Sequence, residues 1–121
     1  TCEEINKAVQ ALEDDPGLDG VVVAVPSIDT IKVVDESGLI MSTPERRYLW
    51  RAQTPQIFRR QALLDAYDIP EDALRGATDD ASLVEARGGR LAVVEGSQEN
   101  FKVTNRVDLR HAEQILAERR R

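Results

Sequence analysis

The sequence has very few of the residues on which metal sites, disulfides and nucleophilic catalysis depend. Its 121 residues include one cysteine, Cys2, and one histidine, His111. A single cysteine cannot form a disulfide within the chain, and this usage is typical of a reducing compartment. Neither residue has the companion motif that a zinc site or a nucleophile–base pair needs. We therefore interpret Cys2 as inert and His111 as a surface residue, and we predict no metal ligands in this chain.

Long apolar runs, excess basic charge and glycine-rich phosphate loops are also missing. No stretch approaches the roughly 18 apolar residues of a membrane-spanning helix. The net charge of −6 opposes non-specific binding to nucleic acid, which requires a basic surface. Neither GxGxxG nor GxxxxGK[ST] occurs, so the chain has no recognisable phosphate-cradling loop. We expect a cytoplasmic protein with no nucleic-acid and no membrane partner.

The patterns that are present predict one α/β domain. Apolar residues recur at helical spacing over residues 1–14, where Thr1 and Glu4 have the spacing of a capping box. The β-branched run VVVAVP at residues 21–26 is typical of a strand buried on both faces. The segments TIKVVD and LIMSTP flank the turn ESG and predict a β-hairpin.

The remaining pattern alternates strands with helices and therefore implies a three-layer α/β arrangement. The hairpin occupies the place of a crossover helix, so we expect it to project as an arm. Residues 69–77 are predicted to form a loop. Further strands are predicted at residues 49–58, 90–96 and 100–104, and further helices at residues 59–67, from Thr78 to Gly88, and from about Asn105 with Leu109, Ala112, Ile115 and Leu116 facing inward.

Three polar places are candidates for binding chemistry. Arg46, Arg47 and Arg51 are either the charges that protect an edge strand or part of a phosphate site or subunit contact. Thr78 is either a helix cap or a hydroxyl that contacts an anionic or polyol ligand. Lys102, in NFKVT, is either a solvated edge residue or a cation that faces a phosphate. The residue types alone leave these alternatives open.

Four short motifs occur in order along the chain: DTIK at residues 29–32, LWRAQTPQIF at 49–58, TDDAS at 78–82 and NFKVT at 100–104. Together they resemble the 2-C-methyl-D-erythritol 4-phosphate cytidylyltransferase family, and the resemblance covers essentially the whole chain. It implies the C-terminal half of a Rossmann-like nucleotidyltransferase fold. The related ribitol-5-phosphate cytidylyltransferases share much of the pattern, and a non-catalytic dimerisation module of the same fold is a further alternative.

The resemblance implies transfer of a cytidylyl group from CTP to 2-C-methyl-D-erythritol 4-phosphate, which gives CDP-methylerythritol and pyrophosphate in the non-mevalonate route to isoprenoid precursors. Two polyanions must meet in this reaction, so cationic side chains and Mg²⁺ are expected to offset the repulsion. In this family the CTP-binding half comes first, and its motifs are not in the sequence. We therefore expect a C-terminal half that is inactive alone, with Mg²⁺ held mainly by the CTP phosphates and the N-terminal half of the same enzyme.

The resemblance also implies roles for individual residues. Arg46 and Lys102 correspond to the pair that positions the incoming phosphate, with Arg47 as the alternative to Arg46. Thr30 and Thr54 correspond to arm residues that reach the neighbouring subunit's site. Thr78 corresponds to a hydroxyl contact to the polyol.

An exchanged arm is the last implication of the resemblance. It predicts a homodimer in which residues 27–57 form the dimerisation arm. Leu49, Trp50 and Phe58 are expected to pack at the subunit contact, and Asp79 and Asp80 are expected to be structural.

Overall fold

A computed structural model describes residues 2–120, so the capping box predicted for Thr1 lies outside the described residues. The chain alternates helices and strands as the sequence pattern predicted. The elements in chain order are α1 (Cys2–Asp14), β1 (Gly20–Pro26), β2 (Val33–Val34), β3 (Ile40–Ser42), a 3-10 turn (Arg46–Tyr48), β4 (Trp50–Phe58), α2 (Arg60–Tyr67), α3 (Glu71–Arg75), α4 (Asp80–Ala86), β5 (Leu91–Glu95) and α5 (Arg106–Arg119).

The central sheet has the strand order β4-β1-β5. β1 runs antiparallel to β4 and parallel to β5, with Val22 opposite both Gln56 and Val93. The pairing with β4 shifts register between Val22 and Ala24. β1 is buried from Gly20 to Val25, because neighbouring strands flank it and helices cover both of its faces. This confirms the doubly buried strand predicted from the run VVVAVP.

Helices pack on both faces of the sheet. Val21 and Val23 point to one face, where they pack against Ala8 and Leu12 of α1. On the opposite face Phe58 and Leu91 pack against a cluster of Ala66, Leu83 and Val84 from α2 and α4. The three-layer α/β arrangement is therefore confirmed. The position of Phe58 in the core of its own chain contradicts the expectation that it packs at a subunit contact.

Two local predictions were wrong. Residues 69–77 contain the helix α3, which follows Pro70 and has Glu71 and Asp72 in its first turn, where carboxylates favour a helix N-terminus. Residues 100–104, predicted as a strand, have no ladder pairing. Their alternating pattern fits a strand, but the segment is held by side-chain hydrogen bonds and one ring stack.

α5 begins after Asn105, whose side chain accepts a 2.8 Å hydrogen bond from the amide of Asp108. Its buried face is narrower than predicted. Ile115 is 8% exposed, whereas Leu109 and Leu116 are 50% and 52% exposed. The two leucines lie to one side of the stripe that faces the rest of the described chain.

The hairpin β2–β3 belongs to a segment that leaves the sheet at Ser27 and returns at Leu49, where the amide of Ser27 donates a 2.9 Å hydrogen bond to the Leu49 carbonyl. Every residue from 28 to 43 is exposed. At the tip, Gly38 has φ +89°, a conformation that glycine adopts without strain. Because β4 pairs with β1 in the central sheet, the projecting segment is residues 27–49 rather than 27–57.

Candidate functional site

A cavity of about 1070 Å³ opens between β4, the turn before α4, residues 96–105 and the start of α5. Thr54, Thr78 and Lys102, which lie far apart in the sequence, all line it. All three were singled out in the sequence. Thr54 was expected to reach the neighbouring subunit's site, but the structure places it beside Thr78 and Lys102 in the cavity of its own chain. The arrangement offers hydroxyls and a cation to one ligand.

Thr78 is free to face this cavity because a neighbouring residue caps α4. Thr78 was predicted to open the helix, but Asp79 is the N-cap, and its Oδ1 accepts a 2.8 Å hydrogen bond from the amide of Ser82. The Ser82 hydroxyl donates to the carbonyl of Asp79 at 2.7 Å. Aspartate with serine three residues later forms a reciprocal capping box, so it takes the capping position in place of Thr78.

Asp79 has a second structural partner. Its Oδ2 accepts a 3.1 Å hydrogen bond from the side-chain amide of Gln56, which lies on β4. Both carboxylate oxygens of Asp79 therefore have hydrogen-bond donors within the chain. The pair ties the start of α4 to β4 and fixes the cavity wall that carries Thr78.

Lys102 lies on residues 96–105, which β4 holds in place. The side-chain amide of Gln53 donates a 2.9 Å hydrogen bond to the carbonyl of Ser97. The side-chain amide of Asn100 donates a 2.6 Å hydrogen bond to the carbonyl of Thr54. One side chain and one backbone carbonyl of β4 thus position a segment that has no strand pairing of its own.

α5 holds the other end of this segment. The ring of Phe101 stacks on the ring of His111 with centroids 4.7 Å apart and an angle of 13° between the planes. The amide and hydroxyl of Thr104 both donate to Asp108 Oδ2, at 3.1 and 2.8 Å. These two donors, followed by the amide of Asn105 and the nearby His111, lower the pKa of Asp108 below its ordinary value. Lys102 therefore lies between two attachments to one helix.

His111 is exposed, as predicted from the sequence. It also lines the cavity, a position that the sequence reasoning did not predict. Its position depends on the stack with Phe101, which joins a loop to a helix, and no local periodicity reports such a contact. The signal in the sequence was weak, since a single histidine among helix residues has no pattern that marks it.

Arg46 and Thr30 lie on the projecting segment and do not line the cavity of their own chain. Arg46 donates a 3.0 Å hydrogen bond to the carbonyl of Ile28. The guanidinium of Arg47 pairs with Glu45 at 2.7 Å and lies 4.6 Å from the centre of the Tyr48 ring. The roles predicted for Arg46 and Thr30 stay predictions, because they concern a site on a second chain.

The part of the chain that the structure describes contains no group of three or more His, Cys, Asp or Glu side chains that could hold a metal ion. Within residues 2–120, every helix is also too short or too polar to cross a membrane.

Comparison with known proteins gives a consistent result. The family model described as 2-C-methyl-D-erythritol 4-phosphate cytidylyltransferase matches residues 1–118. A protein of that name from Rubrobacter xylanophilus is 47% identical over 121 residues, which are 100% of this chain and 51% of the relative. Another of that name from Alkaliphilus metalliredigens is 46% identical over 120 residues, which are 99% of this chain and 48% of the relative.

Solved structures agree in fold. The 4-diphosphocytidyl-2C-methyl-D-erythritol synthase of Anaerococcus prevotii matches with a TM-score of 0.80 and 31% identity, over 95% of this chain and 52% of that protein. The 2-C-methyl-D-erythritol 4-phosphate cytidylyltransferase of Francisella tularensis matches with a TM-score of 0.81 and 29% identity, over 94% of this chain and 52% of that protein. The chain spans about half the length of the curated relatives it matches. The fold is therefore a Rossmann-like nucleotidyltransferase fold, of which this chain covers about half.

Proposed function

Because the chain belongs to the 2-C-methyl-D-erythritol 4-phosphate cytidylyltransferase family, we propose that it supplies the polyol-phosphate side of an enzyme that transfers a cytidylyl group from CTP to 2-C-methyl-D-erythritol 4-phosphate. The observation that carries the proposal is the convergence of Thr54, Thr78 and Lys102 on one cavity. A polyol phosphate requires hydroxyl partners along its carbon chain and a cation at its phosphate, and this cavity offers both.

The chemistry needs positioning and charge more than it needs a nucleophile. An oxygen of the substrate phosphate attacks the α-phosphorus of CTP, and pyrophosphate leaves with the electron pair of the broken bond. The attacking phosphate is already deprotonated, so no side chain has to remove a proton. Lys102 would hold the phosphate with a compact charge and three donors. Mg²⁺ would be carried by the nucleotide phosphates, because residues 2–120 contain no cluster of side chains that could hold it.

The projecting segment, residues 27–49, would exchange between two subunits of a cytoplasmic homodimer. Apolar side chains that single chains normally bury are exposed along it, and a contiguous apolar surface marks a contact site. In this arrangement Arg46 and Thr30 would reach the partner's cavity. The exposed apolar residues are Ile28, Ile31, Val33, Val34, Leu39, Ile40, Met41 and Tyr48.

The test of the activity fuses the N-terminal half of the Rubrobacter xylanophilus relative to this chain. We expect the fusion to release pyrophosphate from CTP with methylerythritol phosphate, and the 121-residue chain alone to release none. Lys102→Ala in the fusion should reduce turnover by about 10²-fold, since a charge that stabilises the transition state contributes several kcal/mol. The neighbouring exposed Val103→Ala is the matched control.

Three results would contradict the proposal. Turnover by the chain alone would refute the division of the site between two halves. A strong preference for ribitol 5-phosphate over methylerythritol phosphate would show that the proposed substrate is wrong. Unchanged turnover in Lys102→Ala would show that the cavity takes no part in the reaction.

The test of the dimer is separate. Replacing Ile40 and Met41 with serine should convert the fusion to a monomer in light scattering, because both side chains are exposed on β3. Replacing the exposed Leu64 on α2 with serine is the control. A dimer that persists in the double variant would place the subunit contact elsewhere.

A further inference from the structure

We propose that His111 is a positioning residue of the phosphate site. The inference rests on the proposed function, because it concerns the same cavity. It adds a residue that the motifs of the family resemblance did not include.

The positioning role follows from the ring stack. Phe101 is the residue directly before Lys102, and its ring lies 4.7 Å from that of His111 with nearly parallel planes. Residues 100–104 have no strand partner, so the direction of the Lys102 side chain depends on the contacts at its two sides. Asn100 fixes one side by its hydrogen bond to β4. The stack on His111 fixes the other.

Kinetics on the fusion protein test the positioning role. His111→Ala removes the stack and should raise the KM for methylerythritol phosphate about tenfold with the KM for CTP changed less than twofold. His111→Phe keeps a ring for Phe101 and should recover most of that loss.

Arg110→Ala is the matched control. It changes the adjacent position on α5, which does not line the cavity. A general effect of altering the surface of α5 would appear in this variant as well. If Arg110→Ala raises the KM for methylerythritol phosphate as much as His111→Ala does, the positioning role is wrong.

A binding measurement that does not need turnover completes the test. Methylerythritol phosphate, and inorganic phosphate in a parallel titration, should shift the imidazole resonance that disappears in His111→Gln. The Phe101→Leu variant should move that resonance downfield in the absence of ligand, because the ring above it is lost. Unmoved imidazole resonances at ligand saturation would overturn the proposal. If Lys102→Ala also leaves binding and turnover unchanged, the proposed function has failed, whereas an effect of Lys102→Ala without one of His111→Ala refutes only this inference.

Discussion

The side-chain amide of Asn100 donates a 2.6 Å hydrogen bond to the main-chain carbonyl of Thr54. It joins the segment that carries Lys102 to the strand that carries one of the cavity hydroxyls. Because the acceptor is a backbone atom of β4, the bond sets the distance between the two parts of the site independently of the Thr54 side chain.

Asn100→Ala should therefore affect the site more than the fold. We expect the fusion protein to lose roughly tenfold in kcat/KM, and to lose about 1 kcal/mol of unfolding free energy for one hydrogen bond. Steady-state kinetics and urea denaturation measure the two effects. Glu99→Ala, which breaks the exposed ion pair with Arg119, is the control and should change neither by much. Equal activity losses in both variants would show that Asn100 has no special position.

Arg59 holds the end of α1 against the start of α2. Its Nε donates to the carbonyl of Leu18 at 2.7 Å, and its Nη2 donates to the carbonyls of Leu12 and Asp15 at 2.8 and 3.2 Å. Arg59→Ala removes these three hydrogen bonds, so we expect a loss of about 2–3 kcal/mol in unfolding free energy. Denaturant unfolding measures the loss, and the adjacent exposed Arg60→Ala should differ little from the unmodified chain. Equal stability of the two variants would contradict this role.

Gly96 directly follows β5, at a point where the chain passes very close to β1 and β4. A Cβ atom added there would lie 2.5 Å from Val23 Cγ1 and 2.7 Å from Gln53 Oε1. Gly96→Ala should destabilise the chain by about 1–3 kcal/mol, the range for an overpacked core. At Gly76 the nearest atom would be 3.7 Å away, so Gly76→Ala should be neutral or slightly stabilising. Thermal unfolding distinguishes the two, and a tolerated Gly96→Ala would refute the close approach.

The hydroxyl of Tyr67 donates to Asp80 Oδ1. This hydrogen bond, with smaller effects of desolvation and of the Asp80 charge, raises the pKa of Tyr67 above its ordinary value. A folded-state pKa above the unfolded one stabilises the fold below about pH 10 and loses that contribution as pH rises through the folded value.

Asp80→Asn removes the carboxylate and should bring the tyrosinate absorbance change of Tyr67 to lower pH. The Tyr67→Phe variant identifies which part of the absorbance change belongs to Tyr67 rather than Tyr48. An identical titration of Tyr67 with and without Asp80 would show that the hydrogen bond does not control it.

Local sequence patterns determined most of the elements of this fold. The run VVVAVP predicted β1, the turn ESG predicted the hairpin β2–β3, and Asn105 marked the start of α5. These signals are short-range, because the residues that set the conformation lie within one turn or one strand. The motif residues Thr54, Thr78 and Lys102 were likewise identified in the sequence, through the family resemblance.

Only the tertiary structure decided how those residues meet. The strand predicted at residues 100–104 is an unpaired segment, since Asn100 and Phe101 find partners on β4 and α5 rather than on a neighbouring strand. The N-cap of α4 is Asp79 rather than Thr78, the residue that the sequence pattern had predicted. The Thr78 hydroxyl is therefore available to the cavity. His111 on α5 is part of the site because its ring stacks on that of Phe101, which lies on a loop. Periodicity and capping rules describe neighbours along the chain, whereas a hydrogen bond or stack between distant residues exists only once the sheet and its helices have packed.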